Sequence, residues 1–293
     1  MDTHRDPASR VRGLPALPAS LEAWERYFTG MDIPVLKRTV LNFEEMAEHI
    51  DTLDVRSVAD AILDDPLMTL KVYAWSARIR NRRQITDLET LEPIILMTGI
   101  EPFFRQFRHL HSIEDSLQDN PQALAGLLRV ISRSYRAATY ARDWALRRRD
   151  LDTEVILIAA LLHDFIEMAM WVLAPGDCAE IEQRKKLDPT LRSADAQHAV
   201  FGVSFNHLEH ALAVRWHLPE LLITMMGDQN SQHPSVKNVI YAVNLARHSA
   251  RGWDNPALPD DFYDISGLLN VSVERVKELI LPEEYREKKE DIF

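Results

Sequence analysis

Cysteine is almost missing from this chain. Cys178 stands alone, which excludes an intrachain disulfide and any zinc site built on several thiolates. Glycine is scarce as well, with 9 residues in 293, against roughly 7% in an average protein. No Asn-Gly, Asp-Gly or Gly-Gly pair is present to close a tight hairpin, so the strongest short-range sheet signal is lacking and an all-α fold is expected. Positive charge is in deficit: the formal net charge of −11 speaks against broad nucleic-acid binding, which needs a basic surface to release counterions. The longest uninterrupted apolar run, Val155 to Leu162, falls well short of the ~18 residues of a membrane span. The opening MDTHRDPASRVRG lacks the apolar core of a signal peptide. These shortages together predict a cytoplasmic protein with neither a membrane nor a nucleic acid as partner.

What is present reads as helix after helix. Residues 1–18 carry Arg, Pro and Ser without apolar periodicity and are expected to form a tail. Leu21, Trp24 and Phe28 then mark one helical face, and Val55, Val58 and Ile62 another, stopped at Asp64-Asp65-Pro66 because the residue before proline avoids the α region. Leu67, Leu70, Ala74 and Ala77 form the next stripe. Thr86 with Glu89 has the spacing of a capping box ahead of Leu88, Leu91 and Ile95. Phe103, Phe104 and Phe107 supply an aromatic core face, with Trp171 a further core candidate. The polar segment 111–122 suggests a joint between an N-terminal helical subdomain, 19–115, and a second one, 116–281, packed against it, with a charged tail at 282–293. Asn120-Pro121 should start a long helix with Leu124, Leu128, Ile131, Tyr135 and Ala138 in its stripe. Further helices are expected near 206–217, 236–250 and 273–281. In the second of these Val239, Val243 and Ala246 form the stripe. GLLNVSVERVKELI resembles a helix-turn-helix, but Arg275 and Lys277 sit beside Glu274 and Glu278, so packing is the better reading.

The segment EVILIAALLHDFIEMAMWV, residues 154–172, is apolar except where His163 and Asp164 interrupt it. Its length without Gly or Pro predicts one helix buried all round. A buried imidazole beside a carboxylate must be hydrogen-bonded, paired or metal-bound, since an uncompensated charge costs several kcal/mol. Adjacent helical residues point about 100° apart and can converge on one ion, and Glu167 lies one turn further on. Two readings follow, a metal site and a buried hydrogen-bonded pair in which Asp164 accepts from Arg133 or a backbone amide. His207, His210 and His217 share a helical face, yet His217 lies two turns, about 10 Å, beyond His210 and too far for one ion. Arg78, Arg80, Arg82 and Arg83 could grip a phosphate, as could Arg147, Arg148 and Arg149; solvated helix ends and loops are the simpler reading of both clusters.

The order LLHDFIE resembles the central motif of the HD superfamily of metal phosphohydrolases, in which an upstream His, the His-Asp pair and a downstream Asp hold divalent metal. Here Arg133-Ser134 stands where that superfamily has His-Ser, Asn244 or a neighbour where it has Asp, and Ile166-Glu167 where it has Gly-Lys. Ile33-Pro34-Val35-Leu36, Ile62 through Val72, Ile85 to Leu88, Thr98-Gly99-Ile100, Leu161 to Asp164 and NHLEHALAVRWHLP are together similar to the successive signatures of the HDOD domain, with Ala211 where Gly is usual. The resemblance spans roughly residues 25–250. It implies a multihelical HD-like fold, no catalysis, no cofactor, and a bacterial signalling or scaffold module that acts on other signalling proteins. It also implies that Arg133, His163, Asp164, Glu167, His207 and Asn244 line the remnant of the metal pocket. The alternatives are a phosphohydrolase whose metal is held by His163, Asp164, Glu167 and His207, and a binder of a nucleotide second messenger that uses the Arg78–Arg83 cluster.

Overall fold

The computed structural model describes residues 18, 20–79, 89–188, 190–216, 218, 220–226 and 232–286. Among them the chain is helical throughout, with no strand. In order the helices are α1 Leu21–Gly30, α2 Lys37–Glu48, α3 Val55–Leu63, α4 Pro66–Ile79, α5 Leu91–Thr98, α6 Ile100–Gln106, α7 Ile113–Ser116, α8 Pro121–Arg148 and α9 Thr153–Leu162. They continue as α10 Phe165–Leu173, α11 Pro175–Leu187, α12 Ser193–Phe201, α13 Phe205–Arg215, α14 Glu220–Met226, α15 Pro234–His248, α16 Leu258–Leu269, α17 Val273–Ile280 and α18 Glu283–Arg286.

Local chemistry sets many of these starts. Ser20 accepts from Ala23 N at 3.2 Å, Asp54 from Ser57 N at 2.8 Å and Asn120 from Ala123 N at 3.0 Å, each taking up an amide that the first helical turn leaves without a partner. The start of α4 is more unusual. Asp65 is completely buried, and its carboxylate accepts from Leu67 N at 2.9 Å and Met68 N at 3.3 Å while reaching back to Leu36 N and Thr39 Oγ1, both at 2.7 Å. One side chain thus ties the first turn of α4 to the first turn of α2. The Ile-Pro-Val-Leu link is held further by Val35, which donates to His111 O and accepts from Ile113 N, both at 2.8 Å.

The long helix α8 begins at Asn120-Pro121 and ends where Arg149 takes a left-handed φ of 60°. Its buried stripe is Ala123, Leu127, Val130, Ile131, Ser134, Ala137, Ala138, Ala141, Trp144 and Ala145, whereas Leu128 is exposed. Of the expected stripe Ile131 and Ala138 are buried, Leu124 and Tyr135 are half-buried, and Leu128 alone faces outward. Half of this buried face is alanine. The expected aromatic core residues Phe103, Phe104, Phe107 and Trp171 are all buried, with the Phe103 and Phe107 rings 4.8 Å apart. Arg147 and Arg148 lie in the last turn of α8, with Arg149 just after it, and Arg148 donates to Pro234 O at 2.8 Å. The Thr86 capping box and Leu88 lie outside the described residues.

The chain divides into two compact units, Met1–Ile131 with Asp164–Leu218, and Ser132–His163 with Pro219–Phe293. Each is discontinuous in sequence, so this division differs from the sequential blocks 19–115 and 116–281. The apolar segment explains the difference. It is two helices rather than one, and α9 packs on α14 and α15 inside one unit while α10 packs on α4, α11 and α13 inside the other. By length and composition Thr153–Leu173 could cross a membrane, but 89% of that apolar window is buried in protein. The two halves serve as the central helices of two cores.

Candidate functional site

His163 closes α9 and Asp164 opens α10. The helical run is interrupted here because Asp164 sits at φ −106°, ψ 24°, outside the α region, although its carbonyl still accepts from Met168 N at 3.1 Å. Both side chains are buried, at 7% and 9% exposure. Burial demands compensation, and each of His163, Asp164, Arg133 and Glu167 does have a polar, ring or electrostatic partner.

Arg133, half-buried on α8, and Asn244, half-buried on α15, belong with His163 to one unit. Asp164, Glu167 and His207 belong to the other. His207 stands exposed on α13 with its Nδ1 2.8 Å from Ser204 Oγ. Among the described residues no group of three His, Cys, Asp or Glu side chains is placed to hold a metal ion. Arg133 is a cation and Asn244 a neutral amide, and neither is the carboxylate or imidazole that a transition metal favours.

The remaining candidates are scattered. Arg78 is exposed in the last turn of α4, while Arg80, Arg82 and Arg83 lie outside the described residues, as does His217. His210 is exposed on α13. Cys178 is buried, and burial together with the carboxylates of Glu167, Asp177 and Glu182 pushes its thiol up. It is held as the thiol, the unreactive form. A further concave region carries no recognisable motif. Lys237, Tyr241 and Tyr263 line it, and the only trace in the sequence is their placement away from the apolar stripes of their helices.

A family model of the HDOD domain matches residues 33–232, more than half of the chain. The chain belongs to the HDOD domain family. Arg133, His163, Asp164, Glu167 and His207 all fall inside the HDOD match, whereas Asn244 and everything after it fall outside. No curated protein matches the sequence. Among solved structures, the fold is similar to that of the MmoQ response regulator from Methylococcus capsulatus strain Bath, at 17% identity, TM-score 0.61, over 86% of this chain and 98% of that one. It is similar also to that of a virulence factor from Campylobacter jejuni subsp. jejuni, at 18% identity, TM-score 0.62, over 91% and 98% of the two chains. At such identities the likeness is one of fold, and it covers most of the chain.

Proposed function

We propose that this HDOD protein is a non-catalytic signalling or scaffold module that works through contacts with other signalling proteins and performs no reaction of its own. The reading rests chiefly on the side chains around the His-Asp signature. A metal phosphohydrolase needs several protein donors and an open coordination position to turn water into a nucleophile. Here an arginine and an asparagine take two of the donor positions, and His207 stands in solvent beside Ser204. The His163–Asp164 pair is then a buried polar pin at the junction of two core helices. One protein of this fold is named a response regulator, which accords with a signalling role.

The test is hydrolysis of a generic phosphodiester, bis-p-nitrophenyl phosphate, by the full chain with Mn²⁺, Mg²⁺ or Fe²⁺ added in turn. The expected result is a rate indistinguishable from that of Asp164→Ala. Turnover that needs one of these metals and disappears in Asp164→Ala would overturn the proposal in favour of a phosphohydrolase.

A further inference from the structure

Helix α15 has two distinct faces. Val236, Val239, Val243 and Ala246 are buried on one side. Pro234, Lys237 and Tyr241, at i, i+3 and i+7, share the opposite side and line a groove of about 800 Å³ within the same unit. The other walls come from Arg148 at the end of α8, from Tyr263 and Asp264 of α16, and from Ser272, whose hydroxyl caps α17 by accepting from Arg275 N at 3.2 Å. Apart from Gln232 the lining residues lie outside the segment matched by the HDOD model, except for Arg148, so the groove belongs largely to the C-terminal helices.

Its functional groups are available. Among the described residues, Lys237 Nζ and the hydroxyls of Tyr241 and Tyr263 have no hydrogen-bond or ion-pair partner. Tyr263 is 71% exposed and stacks on no other ring among those residues, an unusual place for a large aromatic unless its face is used. Arg148 is fixed by Pro234 O at 2.8 Å and Asp150 at 3.3 Å, and a guanidinium with five N–H donors retains capacity beyond those two contacts. The N-terminal end of α17 belongs to the same wall, with its Arg275 amide capped by Ser272 and Glu274 in its first turn. Asp264 supplies an acceptor. Its carboxyl is pushed up by burial and by Asp261 and Asp260, with Lys237 acting against them.

The size of the groove decides the class of ligand. Pockets for small molecules and cofactors hold roughly 300–1,000 Å³, so an inorganic anion would occupy only a corner here, and an anion with an organic body is the better match. We propose that this groove binds a mononucleotide, with its phosphate on Lys237 and Arg148, its base against the face of Tyr263, and a base N–H donated to Asp264. Base–aromatic stacking of this kind tolerates any base, and Asp264 would favour one that offers an N–H. The site would let a metabolite act on the protein independently of the His163–Asp164 region.

Isothermal titration of the full chain with GMP, AMP and inorganic phosphate tests this, repeated on Lys237→Gln, Lys237→Arg and Tyr263→Ala. All these positions are at least partly solvent-exposed, and circular dichroism should show every variant folded. Saturable binding of at least one nucleotide is expected. It should weaken roughly tenfold or more in Lys237→Gln and in Tyr263→Ala, persist in Lys237→Arg, and exceed phosphate binding by a similar factor. The proposal falls if neither nucleotide gives saturable heat at millimolar concentration. It falls equally if phosphate binds as tightly as the nucleotides, or if Lys237→Gln and Tyr263→Ala both bind like the parent chain.

Discussion

Asp65→Ala should be among the most damaging single substitutions in the protein. The carboxylate is fully buried and accepts four hydrogen bonds, from Leu36 N, Thr39 Oγ1, Leu67 N and Met68 N. Truncation to alanine leaves three backbone amides and a hydroxyl buried without an acceptor, and each such loss costs ~1–3 kcal/mol. The losses do not simply add. Burying the carboxylate is itself expensive, as seen in the way burial pushes this carboxyl up against the pull of its four donors. Relaxation of the α2 start recovers part of the rest, so a net destabilisation of about 4 kcal/mol is expected. At roughly 2–4 °C per kcal/mol for a domain of this size, the melting temperature should fall by about 8–16 °C. Asp65→Asn keeps the shape and one acceptor oxygen but turns an NH2 group towards donors, and should cost about half as much. Urea unfolding followed by far-UV circular dichroism, with the denaturant slope unchanged, measures both. An Asp65→Ala midpoint equivalent to within ~0.5 kcal/mol of the parent would refute the argument that this side chain locks α2 to α4.

Gly126→Ala should destabilise as well, because its Cβ would lie 2.6 Å from Cε3, Cζ3 and Cη2 of Trp171; the better helix propensity of alanine offsets some of the strain, and a net loss of about 1–2 kcal/mol in a thermal melt is expected, with an unchanged melt contradicting the tight packing of α8 on α10. Asp32 gives a pH signature: burial alone would raise its carboxyl, but the hydrogen bond and charge of Lys71 at 2.6 Å, with those of His111 at 3.0 Å, outweigh burial and hold it below the usual aspartate range. A carboxyl depressed in the folded state contributes stability that is fully present above its unfolded pKa of about 3.9 and lost as pH falls through the folded value. Lys71→Met should therefore lower stability by under ~1 kcal/mol at pH 7, since Asp32 is largely exposed, and flatten the acid limb below about pH 4; parallel acid limbs for the two proteins would count against the pairing.

Much of this fold can be read from residue order alone, for physical reasons that differ from place to place. Asn120-Pro121 announces α8 because an Asn acceptor and a proline at the first helical position are both local devices. The aromatic cluster of Phe103, Phe104 and Phe107 is legible from its density of large apolar side chains. The helix break at His163-Asp164 is not, since no Gly or Pro marks it and both flanks are equally apolar. Which core each half enters depends on distant helices, α14 and α15 for one and α4, α11 and α13 for the other, and that information is spread over the entire chain. Asp65 looks like a simple helix stop because its partners Leu36 and Thr39 are 29 and 26 residues away. The candidate site is legible as a departure from a pattern: Arg133 and Asn244 are conspicuous only beside the motif they interrupt. The groove beside α15 has no motif, and it is revealed by the side chains that α8, α15, α16 and the cap of α17 bring together.

Whether the His163–Asp164 region holds a metal separates a signalling module from a phosphohydrolase. Elemental analysis by inductively coupled plasma mass spectrometry, on full-length protein produced in metal-rich medium and purified without chelators, addresses that directly. Substoichiometric Mn, Fe and Zn, below about 0.1 per chain and the same in Asp164→Ala, is the expected result. About one ion of any of these per chain, lost on changing Asp164 to alanine, would contradict the non-catalytic reading and show a metal-binding HD site with an altered set of donors.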